Sequence, residues 1–289
     1  MSAEGQSRLT LLHDLLEPER LIEIVDVGAN PISAPDYQPL FAAGYARVTG
    51  FEPQQAAFKA LEPMQSKTAR FFPFAVGDGT DRELKVCKNS GFTSLLEPNT
   101  KTFDFLGRYH RAGRVLERIE MSTKRLDDIE GLGQVDFLKI DIQGGEVDVF
   151  NNAGDTLKSC AAVMTEVAFV PLYEDQPLVD TQMAVMREAG FQLHKFMFVK
   201  SIPISSKLAG AAIPNTVARN QLIDGDAVFI KDLFDLGDAP DERLKHIALL
   251  AEGCFRSPDL VVRCLSLLVE RGTIAEADCA AYLTELEQA

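Results

Sequence analysis

Positive charge is scarce in this sequence. The 289 residues contain 43 Asp and Glu but only 29 Lys and Arg, which gives a formal net charge of −14 at pH 7. Proteins that hold nucleic acid or an anionic membrane surface neutralise phosphate groups with cationic side chains. The charge balance therefore argues against both kinds of partner.

Long apolar runs are missing as well. A membrane-spanning helix needs ~18 or more consecutive apolar residues, and no window of the chain reaches that length. The opening residues, MSAEGQSRLT, lack the basic segment and the following apolar segment of a signal peptide. We therefore expect a cytoplasmic protein that is not inserted in a membrane.

Side chains that commonly bind metals or act as nucleophiles are few. The five cysteines form no CxxC pair and the four histidines are scattered, so neither a zinc site nor a disulfide framework is predicted. The serine-hydrolase elbow, the Walker loop and the HExxH zinc helix are also absent from the sequence. We expect reduced thiols, most of them in the core, and no bound metal.

What the sequence does contain is an alternation typical of α/β proteins. Residues 1–20 predict a leading helix. Short apolar runs then alternate with helix-sized stretches, which predicts an α/β doubly wound sheet over residues 21–231. The runs FQLHKFMFV and DGDAVFIKD predict a terminal antiparallel pair of strands. The connection between them, residues 201–222, is long enough to form part of a substrate site.

The acidic segment 232–289 is predicted to be a small helical appendage. Three stretches carry apolar residues at helical spacing, and Gly253 and Gly272 stand where helices end. Thr273 and Glu276 have the spacing of a capping box. We expect the appendage to serve packing or oligomerisation, so a homo-oligomer formed through these helices is one predicted assembly.

The most informative stretch is IVDVGAN, residues 24–30. A buried strand ends there in Asp26 and passes directly into Gly28 and Ala29, which leave room for a ligand against the backbone. The following residues do not complete a G-x-G-x-x-G fingerprint, which disfavours a nicotinamide dinucleotide. A tight structural turn without a ligand is equally compatible with these residues alone.

Two further strand ends point to a nucleoside. Glu52, followed by Pro53, stands at the tip of the next run, where a carboxylate can accept both hydroxyls of a ribose. The third run ends in the turn AVGDG, residues 75–79, which could form the wall of an adenine site. Together with the first turn, these residues predict a nucleoside ligand without a bridging pyrophosphate.

Charged residues also occur on strands that should be buried. In DFLKIDIQGGE, Lys139 and Asp141 are two residues apart and therefore on the same face of the strand, and the next run carries Glu166. A buried ammonium group needs a counter-ion, for which Asp141 and Asp26 are the candidates. We expect this cluster at the ligand-binding edge of the sheet, either as functional groups or as a structural ion-pair network.

Taken in order along the chain, these stretches resemble the FkbM-type S-adenosylmethionine-dependent methyltransferases. The motifs that carry the resemblance span roughly residues 21–231: IVDVGAN, GFEP, FAVGDG, TSLLEPN, RLDDI, DFLKIDIQGGE, TEV followed by PLYEDQP, and DAVFI. The resemblance implies a class I methyltransferase (Rossmann-like) fold, whose mostly parallel sheet of seven strands has an antiparallel last strand. It also implies S-adenosyl-L-methionine as the cofactor.

The resemblance further implies where the cofactor would be held. The methionine part would lie among Asp26, Gly28, Ala29 and Asn30, the ribose at Glu52 and Pro53, the adenine at Ala75, Val76 and Asp78, and the methyl group at Asp141 and Gln143. Gln143 stands where many members of the family have Glu. Because Pro31, Pro35 and Pro39 follow the glycine turn, we expect the first helix of the domain to begin late, near Pro35 or Pro39.

We therefore expect a methyltransferase that modifies a hydroxyl group of a sugar, a glycan precursor or another small polar metabolite. Asp141 and Glu166 are the predicted base and acceptor-positioning groups, with Lys139 fixing their geometry or charge. The connection 88–119 is predicted to close over both ligands, and its basic residues are compatible with an anionic acceptor. The alternatives are a non-catalytic nucleoside-binding or assembly module and, less favoured, a nicotinamide-dependent oxidoreductase.

Overall fold

The computed structural model describes residues 3–205 and 219–288. Its strands, in chain order, are β1 (Ile22–Val27), β2 (Ala46–Phe51), β3 (Ala69–Phe72), β4 (Asp81–Cys87), β5 (Val115–Ser122), β6 (Phe137–Ile140), β7 (Ala162–Ala168), β8 (Phe191–Ile202) and β9 (Gln221–Lys231). The connection predicted to form part of a substrate site runs between β8 and β9, and residues 206–218 of it lie outside the described residues.

Seven of these strands form the central sheet, in the order β3-β2-β1-β6-β7-β9-β8. The pairs from β3 to β7 are parallel, whereas β9 runs antiparallel to both of its neighbours. The predicted class I methyltransferase sheet with its antiparallel strand is therefore confirmed. The strand order reverses between β1 and β6, and ligands of open α/β sheets bind at the carboxyl ends of the strands at such a point.

Helices pack on both faces of this sheet. They are α1 (Ala3–Leu16), α2 (Gln38–Ala42), α3 (Gln55–Leu61), α4 (Thr100–Leu106), α5 (Glu146–Asn151), α6 (Gly154–Ser159), α7 (Val179–Glu188), α8 (Asp241–Leu250), α9 (Pro258–Glu270) and α10 (Ala280–Glu287). Because both faces are covered, the central strands are apolar along most of their length. In β7, for example, every residue is buried except Glu166, which is partly exposed.

A large apolar core joins the two ends of the chain. Leu9, Leu12 and Leu16 of α1 pack in it together with residues of the sheet and of the C-terminal helices. The apolar stripes predicted for residues 232–289 lie on helices, and most of their members are buried in this core: Leu244, Ile247, Ala248, Ala251, Val261, Cys264, Leu265, Leu268, Cys279 and Tyr282. An oligomer formed through these helices stays a prediction and would have to use their other faces.

The predicted capping box at Thr273 and Glu276 is wrong. The hydroxyl of Thr273 donates to the carboxylate of Asp241 instead of capping a helix. The short 3₁₀ turn Glu276–Cys279 follows Ala275, which offers no side-chain cap. The hydroxyl that the local spacing assigned to a helix cap therefore bonds to Asp241, in the first turn of α8.

The late start of the first helix of the domain is confirmed. Helix α2 begins at Gln38 and has Pro39 in its first turn, where the missing N–H of proline costs nothing. The residues before it form turns, and several of them line the cavity described below. The prolines therefore keep a loop, rather than a helix, next to the glycine turn.

The strands β4 and β5 form a separate antiparallel pair, and the predicted connection 88–119 joins them and includes the first residues of β5. Residues of β5 are exposed or half-buried throughout, so the strand offers no apolar run to recognise. Helix α4 follows β4 and packs Phe103 and Leu106 against Ile223 of β9 in a small core of its own. This insertion brings the turn after β4 to the edge of the sheet where the carboxyl ends lie.

Two expectations drawn from composition can be compared with the structure. All five cysteines are buried and unpaired, as predicted for core thiols. Within the described ranges, no helix has both the length and the apolar character that crossing a bilayer requires.

Candidate functional site

A cavity of about 750 Å³ opens at the carboxyl ends of β1, β2, β6 and β7. Its volume lies within the range of small-molecule sites. All but one of the residues predicted to hold the cofactor or to perform the chemistry line this cavity. Those that line it are Asp26, Gly28, Ala29, Asn30, Glu52, Pro53, Ala75, Val76, Lys139, Asp141, Gln143 and Glu166. Parallel strands place their carboxyl ends together, which is why residues far apart in sequence meet here.

The exception is Asp78. Its carboxylate accepts hydrogen bonds from the backbone N–H and the hydroxyl of Thr80, at 3.0 and 2.7 Å, and pairs with Arg82. These contacts hold the pKa of Asp78 well below its usual range, although partial burial opposes the shift. The structure therefore places Asp78 in a turn, apart from the predicted adenine wall, where Ala75 and Val76 do line the cavity.

The turn after β1 is fixed against two neighbouring strands. The backbone N–H groups of Gly28 and Ala29 both donate to the carbonyl oxygen of Phe51, at 2.9 and 3.0 Å. Gly28 has a φ of +83°, and a Cβ atom at this position would lie 2.0 Å from the carbonyl oxygen of Asp141. Only glycine allows the end of β6 to approach the turn this closely.

Asp26 is the counter-ion of Lys139. The two residues lie opposite each other on β1 and β6, and Nζ of Lys139 is 3.2 Å from Oδ1 of Asp26. The hydroxyl of Tyr37 donates to Oδ2 of the same carboxylate at 2.7 Å. Burial alone would lower the pKa of Lys139, but the charges of Asp26 and Asp141 outweigh it and raise that pKa. Of the two candidates from the sequence, Asp26 is thus the partner.

Glu52 lies at the end of β2, where its side chain is 5% exposed. One carboxylate oxygen accepts the backbone N–H of Gln54 at 2.7 Å. Burial raises the pKa of Glu52 to about 7, which the hydrogen bond from Gln54 only partly offsets. The group is therefore a buried acceptor that neighbours the apolar cavity residues Phe51, Leu61 and Phe71.

Asp141 and Glu166 are joined by a carboxamide. Nε2 of Gln143 is 2.8 Å from Oδ1 of Asp141 and 2.8 Å from Oε2 of Glu166, and its Oε1 accepts the hydroxyl of Tyr173 at 3.0 Å. Burial and the charge of Asp141 raise the pKa of Glu166 well above its ordinary value. The predicted cluster thus exists, with Gln143 as its centre.

Two residues of the site were missed by the sequence analysis. Tyr173 lies in the motif PLYEDQP, which marked the resemblance but gave this residue no role. Asp226 of β9 lies opposite Glu166 of β7 and lines the cavity, and burial, together with Asp141, raises its pKa to about 7. The signal for Asp226 was available, because an acidic residue in a buried strand is the same anomaly that identified Glu166.

The cavity is strongly acidic. Among the described residues that line it, the one cation is Lys139, and the carboxylates are those of Asp26, Asp36, Glu52, Asp141, Glu166 and Asp226. The basic residues of the 88–119 connection are not part of the lining: Arg108, His110, Arg111 and Arg114. The described part of the chain also holds no cluster of His, Cys, Asp and Glu arranged to bind a metal ion.

Part of the chain that builds this cavity matches a known protein family. A model of the methyltransferase FkbM domain matches residues 26–193, more than half of the chain. None of the curated proteins matches the chain.

Solved structures with similar folds include a proposed methyltransferase from Thermoplasma acidophilum, at 14% identity and a TM-score of 0.34, covering 74% of this chain and 69% of that one. Precorrin-6y C5,15-methyltransferase from Geobacter metallireducens has 8% identity and a TM-score of 0.34, with coverages of 77% and 86%. Streptococcus pneumoniae Sp1610, a proposed tRNA (m1A22) methyltransferase, has 12% identity and a TM-score of 0.36, with coverages of 93% and 99%. Because the family model matches more than half of the chain, including the turn after β1 and strands β2, β6 and β7, the chain belongs to the FkbM methyltransferase family.

Proposed function

We propose that this protein transfers a methyl group from S-adenosylmethionine to a hydroxyl group of a small polar acceptor, such as a sugar or a glycan precursor. The observation that carries the proposal is the ring of carboxylates at the ends of β1, β2, β6 and β7. They surround one cavity, and the single described cation that lines it is already paired with Asp26.

The residues present fit this cofactor. Oδ1 of Asp26 is buried and has Nζ of Lys139 3.2 Å away but no well-aligned hydrogen bond from the described part of the chain, so an ammonium group of the ligand would share this carboxylate with Lys139. Glu52 supplies a buried carboxylate of the kind that accepts ribose hydroxyls. Apolar side chains provide surface for a flat base, and the acidic lining favours a ligand with a positive sulfonium.

The protein has to position the acceptor hydroxyl and remove its proton. S-adenosylmethionine would supply a methyl group that is already electrophilic. Asp141 and Glu166 are our candidates for accepting the proton of an acceptor hydroxyl: both line the cavity, both keep partial exposure and one carboxamide holds them together. Lys139 is bound to Asp26 and therefore influences this pair through its charge rather than through a direct contact.

The lining also favours one class of acceptor. Carboxylates repel phosphorylated or carboxylated acceptors, whereas their oxygens, together with the hydroxyls of Ser90, Thr93 and Ser94 that line the same cavity, can hydrogen-bond to a polyol. We therefore propose a neutral, hydroxyl-rich acceptor. Methyl-release assays that pair neutral sugars with their phosphates should show transfer to the neutral members.

An Asp141→Asn variant tests the chemistry apart from binding. Calorimetry should show that this variant still binds S-adenosylmethionine, with an affinity lowered by about tenfold because a negative charge near the sulfonium is lost, while methyl transfer at saturating cofactor falls by about 100-fold or more because a proton acceptor is lost. The exposed Asp238→Asn variant is the control, with both quantities unchanged. Undiminished transfer by Asp141→Asn would remove Asp141 from the mechanism.

The same assays separate the alternatives. Binding of S-adenosylmethionine without transfer to any hydroxyl compound would favour a non-catalytic nucleoside-binding module. Tight binding of NADH with no response to S-adenosylmethionine would favour an oxidoreductase.

A further inference from the structure

Gln143 has a backbone conformation that its side chain does not favour. Its φ of +61° lies in the left-handed region, where residues with a Cβ are disfavoured. Gly144 and Gly145 follow directly, so the same turn accommodates glycine at the next two positions. The strained position is held by a hydrogen bond from the hydroxyl of Ser94 to the carbonyl oxygen of Gln143, at 2.7 Å. Strain of this kind is a reason to look for a role of the side chain.

The side chain uses both of its amide hydrogens and one of the two acceptor positions of its oxygen. Its two amide hydrogens go to Asp141 and Glu166, each at 2.8 Å, and its oxygen accepts from Tyr173, which is 1% exposed. Exchanging the amide oxygen and nitrogen would place the oxygen against two carboxylates. The orientation of the carboxamide is therefore fixed by the chemistry of its three partners.

The pair that Gln143 bridges lies in an unfavourable electrostatic environment. The other charged or titratable groups that face it come from several elements: Glu52 of β2, Lys139 of β6, Glu146 of α5, Tyr173 of the connection after β7, Lys200 of β8, and Asp224 and Asp226 of β9. Both cations among them have other partners, since Lys139 pairs with Asp26 and Lys200 donates to Asp224 at 3.0 Å. The amide hydrogens of Gln143 are thus the donors shared by the two carboxylates.

We propose that Gln143 is a positioning residue whose carboxamide holds the carboxyl groups of Asp141 and Glu166 side by side and favours the ionised form of Glu166, which burial opposes. Hydrogen bonds to the charged form of a carboxylate favour that form. The bridge would present negative charge to a sulfonium ligand and keep a proton acceptor available for the hydroxyl of the acceptor. This inference rests on the proposed function, because it assigns the pair to the S-adenosylmethionine site.

The ratio of the affinities for two ligands reports the charge of the Asp141 and Glu166 pair. It can be measured without a methyl acceptor. S-adenosylmethionine carries a positive sulfonium and S-adenosylhomocysteine a neutral sulfur, so the ratio of their association constants should rise with pH as Glu166 ionises. In Gln143→Met, which keeps the backbone strain but lacks the amide, Glu166 should ionise only at a higher pH than in the wild type. We expect the ratio at pH 7 to fall about tenfold and the whole curve to move to higher pH.

A Gln143→Gly variant separates the backbone from the side chain. It lacks the same amide but relieves the left-handed strain, so it should unfold at a higher temperature than Gln143→Met while showing the same displaced affinity curve. A Gln143→Gly protein with the wild-type curve would show that the bridge has no electrostatic role.

Gln182→Met is the matched control. The amide of Gln182 donates to the hydroxyl of Thr165 and to the backbone carbonyl of Glu166, at 2.7 and 2.9 Å, but not to the carboxylate. This variant should lose thermal stability without displacing the affinity curve. The inference is overturned if Gln143→Met binds S-adenosylmethionine with the wild-type pH dependence. If the wild type binds neither ligand, the proposed function itself fails, and the inference fails with it.

Discussion

At the scale of single residues, the pair of Asp26 and Lys139 shows how a charged side chain is accommodated between central strands. The two residues face each other across β1 and β6, and Tyr37 donates to the second oxygen of the carboxylate. A buried ion pair of this kind adds little net stability, but removing one partner leaves an uncompensated buried charge.

The Lys139→Met variant should therefore lower the free energy of unfolding at pH 7 by ~3 kcal/mol, because Asp26 is left without its cation. Adding Asp26→Asn to the same protein should recover a large part of this loss. Urea unfolding of the two single variants and the double variant measures the coupling. Simple additivity of the single losses would show that the two side chains do not stabilise each other.

Asp226 makes the stability of the ligand-free protein depend on pH. Burial and the charge of Asp141 raise its pKa from 3.8 to about 7 in the folded state. A raised carboxyl pKa stabilises the fold fully below pH 3.8, and this stabilisation is lost as the pH rises toward 7. Replacement by Asn removes this dependence.

The thermal midpoint of Asp226→Asn, relative to the wild type, should therefore increase from pH 4 to about pH 7 and then level off. The expected gain is several degrees at pH 8, which differential scanning calorimetry can resolve. The exposed Asp238→Asn variant is the control for replacing an Asp outside the cavity. A flat difference for Asp226→Asn would contradict the pKa assignment.

At the scale of structural elements, the glycine turn after β1 determines how closely β6 can approach. A side chain at Gly28 would need to occupy the space of the Asp141 carbonyl group, which lies 2.0 Å from the Cβ position. Gly44 has a similar φ of +79° but no atom within 4 Å of its Cβ position. Replacing Gly44 by alanine therefore measures the stability cost of the positive φ alone. Replacing Gly28 adds the cost of the clash with Asp141.

Gly44→Ala should cost about 1 kcal/mol of stability through its positive φ and leave S-adenosylmethionine affinity unchanged. Gly28→Ala should cost ~3 kcal/mol or more and weaken binding at least tenfold, because the turn must move away from β6. Chemical unfolding and calorimetry of the two variants check both quantities. Equal effects of the two changes would show that the contact with Asp141 is unimportant.

Elements with a strong local signal were predictable. The central strands have continuous apolar runs because both faces are covered, and prolines placed the start of α2. Strand β5 was not predictable, since its residues are exposed and half-buried without an apolar face. The failure at Thr273 has a different cause: a carboxylate more than 30 positions earlier in the chain, Asp241, competes for its hydroxyl.

The candidate site was likewise predictable only in part. Residues at the ends of parallel strands were predictable because the fold itself brings these positions to one edge. The contacts among them were not, because they depend on register and on loops. The choice of Asp26 over Asp141 for Lys139, and the contact of Tyr173 with Gln143, are set by tertiary packing rather than by sequence spacing.

At the scale of the whole molecule, one of the apolar cores unites α1, the sheet and the C-terminal helices. The division of the chain into a leading helix, a methyltransferase domain over 21–231 and an appendage stays a proposal. The whole chain has a net charge of −14, and the cavity is acidic as well, because its carboxylates outnumber the paired Lys139. An acidic site in an acidic protein favours a cationic ligand over an anionic one.

The most direct test of this account is calorimetric titration of the protein with S-adenosylmethionine. We expect saturable binding, weakened about tenfold or more by Glu52→Leu, since a buried acceptor for the ribose is lost while the cavity keeps its shape. The absence of any binding heat, with no thermal stabilisation at millimolar S-adenosylmethionine, would contradict the account.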